Sequence, residues 1–212
     1  RWITKMKTVA ICHQKGGVSK STICQGISLE MPGTVAVYDS DPQGSSAKWL
    51  ERREAGKPVR ATGPIHKLPA LVKACEKQNC DWLIIDTPPW HDDKVNIRSI
   101  ISVADFVILP TKMSRYDIEI LPKTVKIANS LKKPWMIVLT MGQRSNLLEQ
   151  TKQNLSETAD LLGGSFCSTV LMNRVAHSVA SYHNSTASEM EAGGLAAFEI
   201  RKIAEEVRAT LR

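Results

Sequence analysis

Thr8-Val9-Ala10-Ile11-Cys12-His13-Gln14-Lys15-Gly16-Gly17-Val18-Ser19-Lys20-Ser21-Thr22 is the stretch that decides the fold. Its first five residues form an apolar run that reads as a buried strand. The residues that follow, Ile23-Cys24-Gln25-Gly26-Ile27-Ser28-Leu29, read as the opening of a helix. Strand, glycine-containing loop, Lys-Ser/Thr, helix is the context in which a loop can hold a phosphate. The first N–H groups of a helix have no partners inside it, and the helix dipole adds partial positive charge there. Glycines admit an anion close to the backbone, and a lysine and a hydroxyl complete the cradle. The bland alternative for this stretch is a Gly-Gly turn leading into a helix.

Strand candidates are 7–12, 34–39, 82–86, 105–110 and 135–140, with weaker runs at 59–62 and 166–171. Helix candidates are 20–31, 44–56, 66–79, 94–104, 115–131, 146–162, 174–183 and 194–211. The alternation predicts an α/β fold, a mostly parallel twisted sheet with helices on both faces. Continuous apolar runs such as Leu83-Ile84-Ile85 and Phe106-Val107-Ile108-Leu109 suit strands buried on both sides. No internal repeat or linker divides the chain.

Ligands of such sheets sit beyond the C-terminal strand ends. Asp39-Ser40-Asp41-Pro42-Gln43-Gly44 follows the second strand, Asp86-Thr87-Pro88-Pro89 follows 82–85, and Asp117 comes shortly after Pro110-Thr111. Carboxylates facing a phosphate loop suit Mg²⁺, which takes oxygen ligands and often only one or two carboxylates beside phosphates. Asp39 and Asp41 equally suit capping of a turn or of helix 44–56.

The 212 residues carry 28 Lys/Arg against 21 Asp/Glu, a net charge of +7. The excess lies in 48–73 and 112–153, whereas 170–212 is balanced. A basic excess favours long-range attraction to nucleic acid. Five cysteines (12, 24, 75, 80 and 167) lack C-x-x-C spacing and read as reduced core thiols. No apolar run reaches the roughly 20 residues that span a bilayer. The last helix has Leu195, Phe198, Ala204, Val207 and Leu211 at near-helical spacing, a core-packing face rather than a membrane anchor. The expectation is a soluble protein with no membrane role. Residues 1–5 read as a cloning remnant before Met6.

The loop departs from the ordinary G-x4-G-K-[ST] pattern at Gln14 and Ser19. It resembles the deviant form K-G-G-x-G-K-[ST]-[ST] of the ParA/MinD class of ATPases, with Lys15, Gly16, Gly17, Lys20, Ser21 and Thr22 matching. D-x-D-P-Q at 39–43, the apolar run ending in D-x-P-P at 86–89, and Ala104-Asp105-Phe106-Val107-Ile108-Leu109-Pro110-Thr111 extend the likeness to ParA partition ATPases. So do Asn173-Arg174 and Glu191-Ala192-Gly193-Gly194-Leu195. The resemblance spans the chain from Met6 and is closest to the small type without an N-terminal DNA-reading domain. It implies one P-loop domain over 6–212.

The resemblance also implies roles. Residues 15–22, Val18 and Ser19 included, bind ATP. Lys20 contacts the β- and γ-phosphates, and Lys15 reaches the nucleotide of a second subunit in an ATP-dependent homodimer. Asp41 orients the attacking water. Ser21, Asp39 and Asp86 attend Mg²⁺. The family binds DNA non-specifically through surface cations. Candidates here are Lys123, Lys126, Lys132, Lys133, Arg144, Lys152, Arg201, Lys202 and Arg208. The implied function is DNA partition in the cytoplasm on the nucleoid, with hydrolysis stimulated by a small centromere-binding adaptor. The alternative is a relative that recruits DNA to conjugation machinery through protein partners. An iron–sulfur carrier or amidoligase on the same scaffold would want paired cysteines or a substrate domain. Ser19, in place of the glycine, implies that binding survives while turnover is slow. Thr140-Met141-Gly142-Gln143-Arg144 lacks the Asn that family members often place near adenine.

Overall fold

The computed structural model describes residues 5–53, 56, 58–90 and 94–211. Eight strands form its sheet: β1 Lys7–Ile11, β2 Val35–Asp39, β3 Val59–Ala61, β4 Trp82–Asp86, β5 Phe106–Thr111, β6 Trp135–Gly142, β7 Ser165–Phe166 and β8 Leu171–Met172. The order is β3-β2-β4-β1-β5-β6-β7, with β8 pairing on β6 beyond β7, and every pairing is parallel.

Parallel neighbours need crossover connections, and helices supply them. These are α1 Lys20–Glu30, α2 Ser45–Glu51, α3 Leu68–Lys77, α4 Lys94–Val103, α5 Arg115–Ile118, α6 Leu121–Ser130 and α7 Asn146–Leu162. Then come α8 Val175–Tyr182, α9 Ala187–Met190 and α10 Leu195–Thr210. Side chains alternate across the sheet. Val9, Ile11, Val37, Ile84 and Ile108 point into a core closed by α1 and α10. Ala10, Leu83, Ile85, Val107 and Ile137 point into the opposite core, closed by α3, α4, α6 and α7. Gly26 lets α1 and α10 touch, since a Cβ there would lie 2.8 Å from Ile200 Cγ2.

The expected helix over 115–131 is two helices. Pro122 falls in the first turn of α6, where its missing N–H costs nothing, whereas in one continuous helix it would leave a carbonyl one turn earlier without its donor. The expected strand at 166–171 is two short strands, both paired to β6. Residues 1–4 of the presumed remnant, and 54 and 55 of the expected helix 44–56, lie outside the described residues. All five cysteines are free and buried, and burial pushes the Cys12 thiol up to about 12.

Candidate functional site: the phosphate loop and its carboxylates

The sheet order sets β1 between β4 and β5, so the loop after β1 emerges beside the loop after β4. Register places Ile11 and Asp39 directly opposite Asp86, and both strand-end acids therefore meet at the start of the loop. The loop ends at Ser19, whose φ of 65° and ψ of 26° are left-handed, as is Gly17 at φ 70°. Ser19 thus occupies a backbone conformation suited to the glycine of the related pattern. It makes no side-chain cap to α1, so the helix N-terminus keeps its N–H groups facing the cleft.

Lys20 is buried and folds back, donating from Nζ to the Lys15 carbonyl at 2.9 Å. Desolvation lowers its pKa, an effect that Asp86 and Asp41 oppose. Asp86 is 1% exposed. Its Oδ2 accepts the Ser46 hydroxyl at 2.6 Å, whereas its Oδ1 is buried with no hydrogen-bond partner among the described residues. Burial raises its pKa to about 6, countered by Ser46, Ser21 and Lys20. A buried carboxylate oxygen with an unused acceptor, beside a hydroxyl and a cation, fits a hard divalent ion. Among the described residues no group of three or more His, Cys, Asp or Glu side chains could hold a metal by itself. An ion here depends on oxygens from a bound phosphate.

Asp39 does local work. Its Oδ1 accepts the Asp41 N–H at 2.9 Å and its Oδ2 accepts the Ala47 N–H at 2.8 Å, pinning the loop to the start of α2. Asp41 Oδ1 accepts the Gln43 N–H at 2.9 Å. Asp41 lines the cleft with Gly16, Gly17 and Lys20. That cleft, about 590 Å³, continues past Met141 to Asn173 and Arg174. Arg174 is held by the buried Glu199 of α10 at 2.6 and 2.9 Å, and Glu199 also accepts the Met172 N–H at 3.1 Å.

The structure gives Lys15 partners that the sequence reading did not pair with it. Lys15 Nζ lies 3.1 Å from Asp117 Oδ1, with Lys112 Nζ 3.7 Å from Asp117 Oδ2. Asp117 is 3% exposed, and its backbone carbonyl faces His13 Nε2 at 3.3 Å. His13 Nδ1 accepts the Lys15 N–H at 3.0 Å, which assigns the ring proton to Nε2. Desolvation lowers the His13 pKa and keeps the ring neutral. Lys15 is therefore tied within its own subunit. Ser46 and His13 carry no motif signal, and only the fold brings them to the loop. Asp117 was flagged by its strand-end position.

The nine basic candidates do not form one patch. Lys123, Lys126, Lys132, Lys133, Arg144 and Lys152 belong to α6, α7 or the segments flanking β6, on the α3/α4 side of the sheet. Arg201, Lys202 and Arg208 lie on α10, across the sheet. Lys123, Lys126, Lys132 and Arg144 are exposed. Lys152 pairs with Glu149 at 3.0 Å, Arg201 with Glu30 at 3.5 Å and Lys202 with Glu205 at 2.7 Å.

No protein-family model matches the chain. The chain is 28% identical over 211 residues to maintenance of carboxysome distribution protein A of Halothiobacillus neapolitanus, covering 96% of this chain and 97% of that one. Its fold is similar to that of a Borrelia burgdorferi protein assigned to plasmid partition and bound to AMPPNP. There the TM-score is 0.77 at 17% identity, over 97% of this chain and 100% of the other. It is also similar to the septum site-determining protein MinD of Pyrococcus horikoshii complexed with Mg-ADP. There the TM-score is 0.71 at 18% identity, over 95% and 96% of the two chains. The sequence match to the first of these runs nearly end to end, and the fold is that of the ParA/MinD-type proteins.

Proposed function

We propose that this protein is a Mg²⁺-dependent ATPase that acts as a positioning switch, a monomer without ATP and a DNA-binding homodimer with it. The observation that carries the reading is the arrangement at the loop. Lys20, the start of α1 and Asp41 line one cleft, the buried Asp86 carboxylate lies behind it close to Ser21 and Lys20, and Lys15 stands just before the loop glycines, tied to Asp117. Phosphoryl transfer asks mainly for positioning and charge neutralisation, which these groups supply. Residues 16–22 would cradle the phosphates, Lys20 would exchange the Lys15 carbonyl for them, and Ser21 and Asp86 would hold the magnesium ion. That ion would neutralise phosphate charge. Asp41 orients water, and Asp39 keeps the Asp41 loop in place.

Lys15 gives the switch its logic. Tied to Asp117, it is withheld until a second subunit offers nucleotide phosphates that compete for it. The dimer presents two sets of surface cations to one duplex, and a small adaptor carried by the cargo resets it. In the partition reading the cargo is DNA marked at a centromere site. A second reading, in which the cargo is a protein-bodied compartment, is favoured by the relative named for carboxysome distribution. Both use the same ATP switch.

The test is binding to a non-specific duplex with ATP, ADP or no nucleotide across a salt series. Binding confined to ATP, falling steeply with salt and lost in Lys15→Ala, is the expected result. Equal binding in all three states would reduce the DNA claim to bulk charge.

A further inference from the structure

Beside the nucleotide cleft lies a second hollow of about 320 Å³, walled by α1, α2, α8 and the α8–α9 turn. It is contiguous with the cleft, because Ser21, Thr22, Ser45, His177 and Ser181 line both. Its size falls within the range of small-ligand sites. Two cations, Lys48 and Arg52, stand on its rim one helical turn apart. Both are exposed, and neither is paired with an acid among the described residues. Two acids of the neighbouring surface are engaged elsewhere, Glu51 with Arg60 and Glu189 with Arg53.

The interior is built of neutral hydrogen-bonding groups: Gln25, Asn184, Ser185 and Ser188 among them. Two lining residues, His177 and Ser188, each hold a buried polar atom with no partner in the wall, Nε2 and Oγ respectively. Among the described residues no carboxylate lines the hollow. The walls are held in place rather than left loose. Arg53 stacks on Trp49 at 4.5 Å and binds Glu189 at 2.5 and 3.0 Å, and Asn184 donates to the Trp49 carbonyl at 3.2 Å. These contacts tie α2 to α9 and to the turn before it.

We propose that this hollow is a second binding site, distinct from the phosphate loop, for a small phosphate-bearing anion held by Lys48, Arg52 and the hydroxyl-lined floor. Two cations at that spacing match a doubly charged phosphate, and hydroxyl and amide donors satisfy its remaining oxygens. The recessed donors admit a small ion and exclude a polymer backbone. The site goes beyond the ATPase reading and rests on it only for one source of ligand: phosphate released in the cleft has a direct path past Ser21 and Ser45. A phosphomonoester from solution is the other source.

Calorimetric titration of inorganic phosphate into AMPPNP-saturated protein, at about 150 mM salt to screen diffuse charge, tests the site with the loop filled. Saturable binding of one phosphate per chain is expected, weakened at least tenfold in Lys48→Ala/Arg52→Ala. Lys73→Ala/Lys77→Ala removes two exposed cations at the same spacing on α3 and should leave the isotherm unchanged. No binding, wild-type affinity in the Lys48/Arg52 variant, or equal loss in the α3 control overturns the proposal. Repeating the titration with glycerol 3-phosphate separates the sources. Comparable affinity assigns a phosphomonoester, and binding of inorganic phosphate alone assigns the product. Failure of AMPPNP to bind would sink the ATPase reading. The Lys48/Arg52-dependent part of the isotherm, measured without nucleotide, still decides the hollow.

Discussion

Ser19 carries a cost that its chain position explains. At φ 65° its Cβ is crowded against the backbone, a strain of about 1 kcal/mol that glycine does not feel. Ser19→Gly should raise the stability of the nucleotide-free protein by about 1 kcal/mol, a Tm increase of roughly 2 to 4 °C for a chain of this length. A melt at equal or lower temperature would show that the serine hydroxyl repays the strain. Asp86 makes the opposite kind of statement. Its folded pKa, about 6, lies above the usual 3.8, so the folded state binds protons more readily than the unfolded one. Below pH 4 both states are protonated and nothing is lost. As pH rises from about 4 to 6 the folded state loses stability, by about 3 kcal/mol once the carboxylate is ionised. Asp86→Asn should flatten that slope and make the nucleotide-free protein more stable at pH 7.5, while abolishing Mg-dependent nucleotide binding. Urea titrations at pH 5 and 7.5 read the first effect, and a nucleotide titration with and without Mg²⁺ the second. Buried charge kept at a stability cost is what a ligand site requires.

At the scale of elements, the parts that short-range chemistry controls were legible in the sequence. β4 falls on the expected residues because Leu83-Ile84-Ile85 has only one way to be buried on both faces. The strand–loop–helix at 7–30 was legible because an apolar run, a glycine pair and a helical run follow one another there. The break at Ile120 was written in Pro122 but overridden by the apolar periodicity around it. The grip of Asp117 on Lys15 and of Glu199 on Arg174 was not legible, since each spans elements that only the sheet order brings together. Glu199 is the clearer test. It anchors α10 to the strand and turn that line the cleft, through the Arg174 fork and the Met172 N–H. Glu199→Ala leaves a partly buried guanidinium and an amide without their acceptor. It should cost about 2 to 3 kcal/mol in urea denaturation, short of the cost of breaking a wholly buried pair because Arg174 keeps some solvent contact.

For the whole molecule the question is which face meets DNA. The net charge of +7 alone does not answer it, because the cations stand on both sides of the sheet. Pairing does discriminate. Arg201 and Lys202 already face Glu30 and Glu205, which leaves Arg208 as the one α10 candidate without an ion pair among the described residues. Lys123 and Lys126 are exposed, have no acid partner among the described residues, and sit one turn apart on α6. If α6 supplies the DNA surface, an ATP-bound dimer brings four such lysines to the duplex. Each phosphate contact contributes about 0.9 to the slope of log affinity against log salt, so Lys123→Ala/Lys126→Ala should reduce that slope by about 3 to 4. Arg201→Ala/Lys202→Ala should change it by less than about 1. The comparison is made with ATP present and the dimer verified by light scattering, so that a lost dimer is not mistaken for a lost contact. Equal slopes for the α6 variant and the unaltered protein would move the DNA surface off α6, and a large loss in the α10 variant would place it on the other side of the sheet.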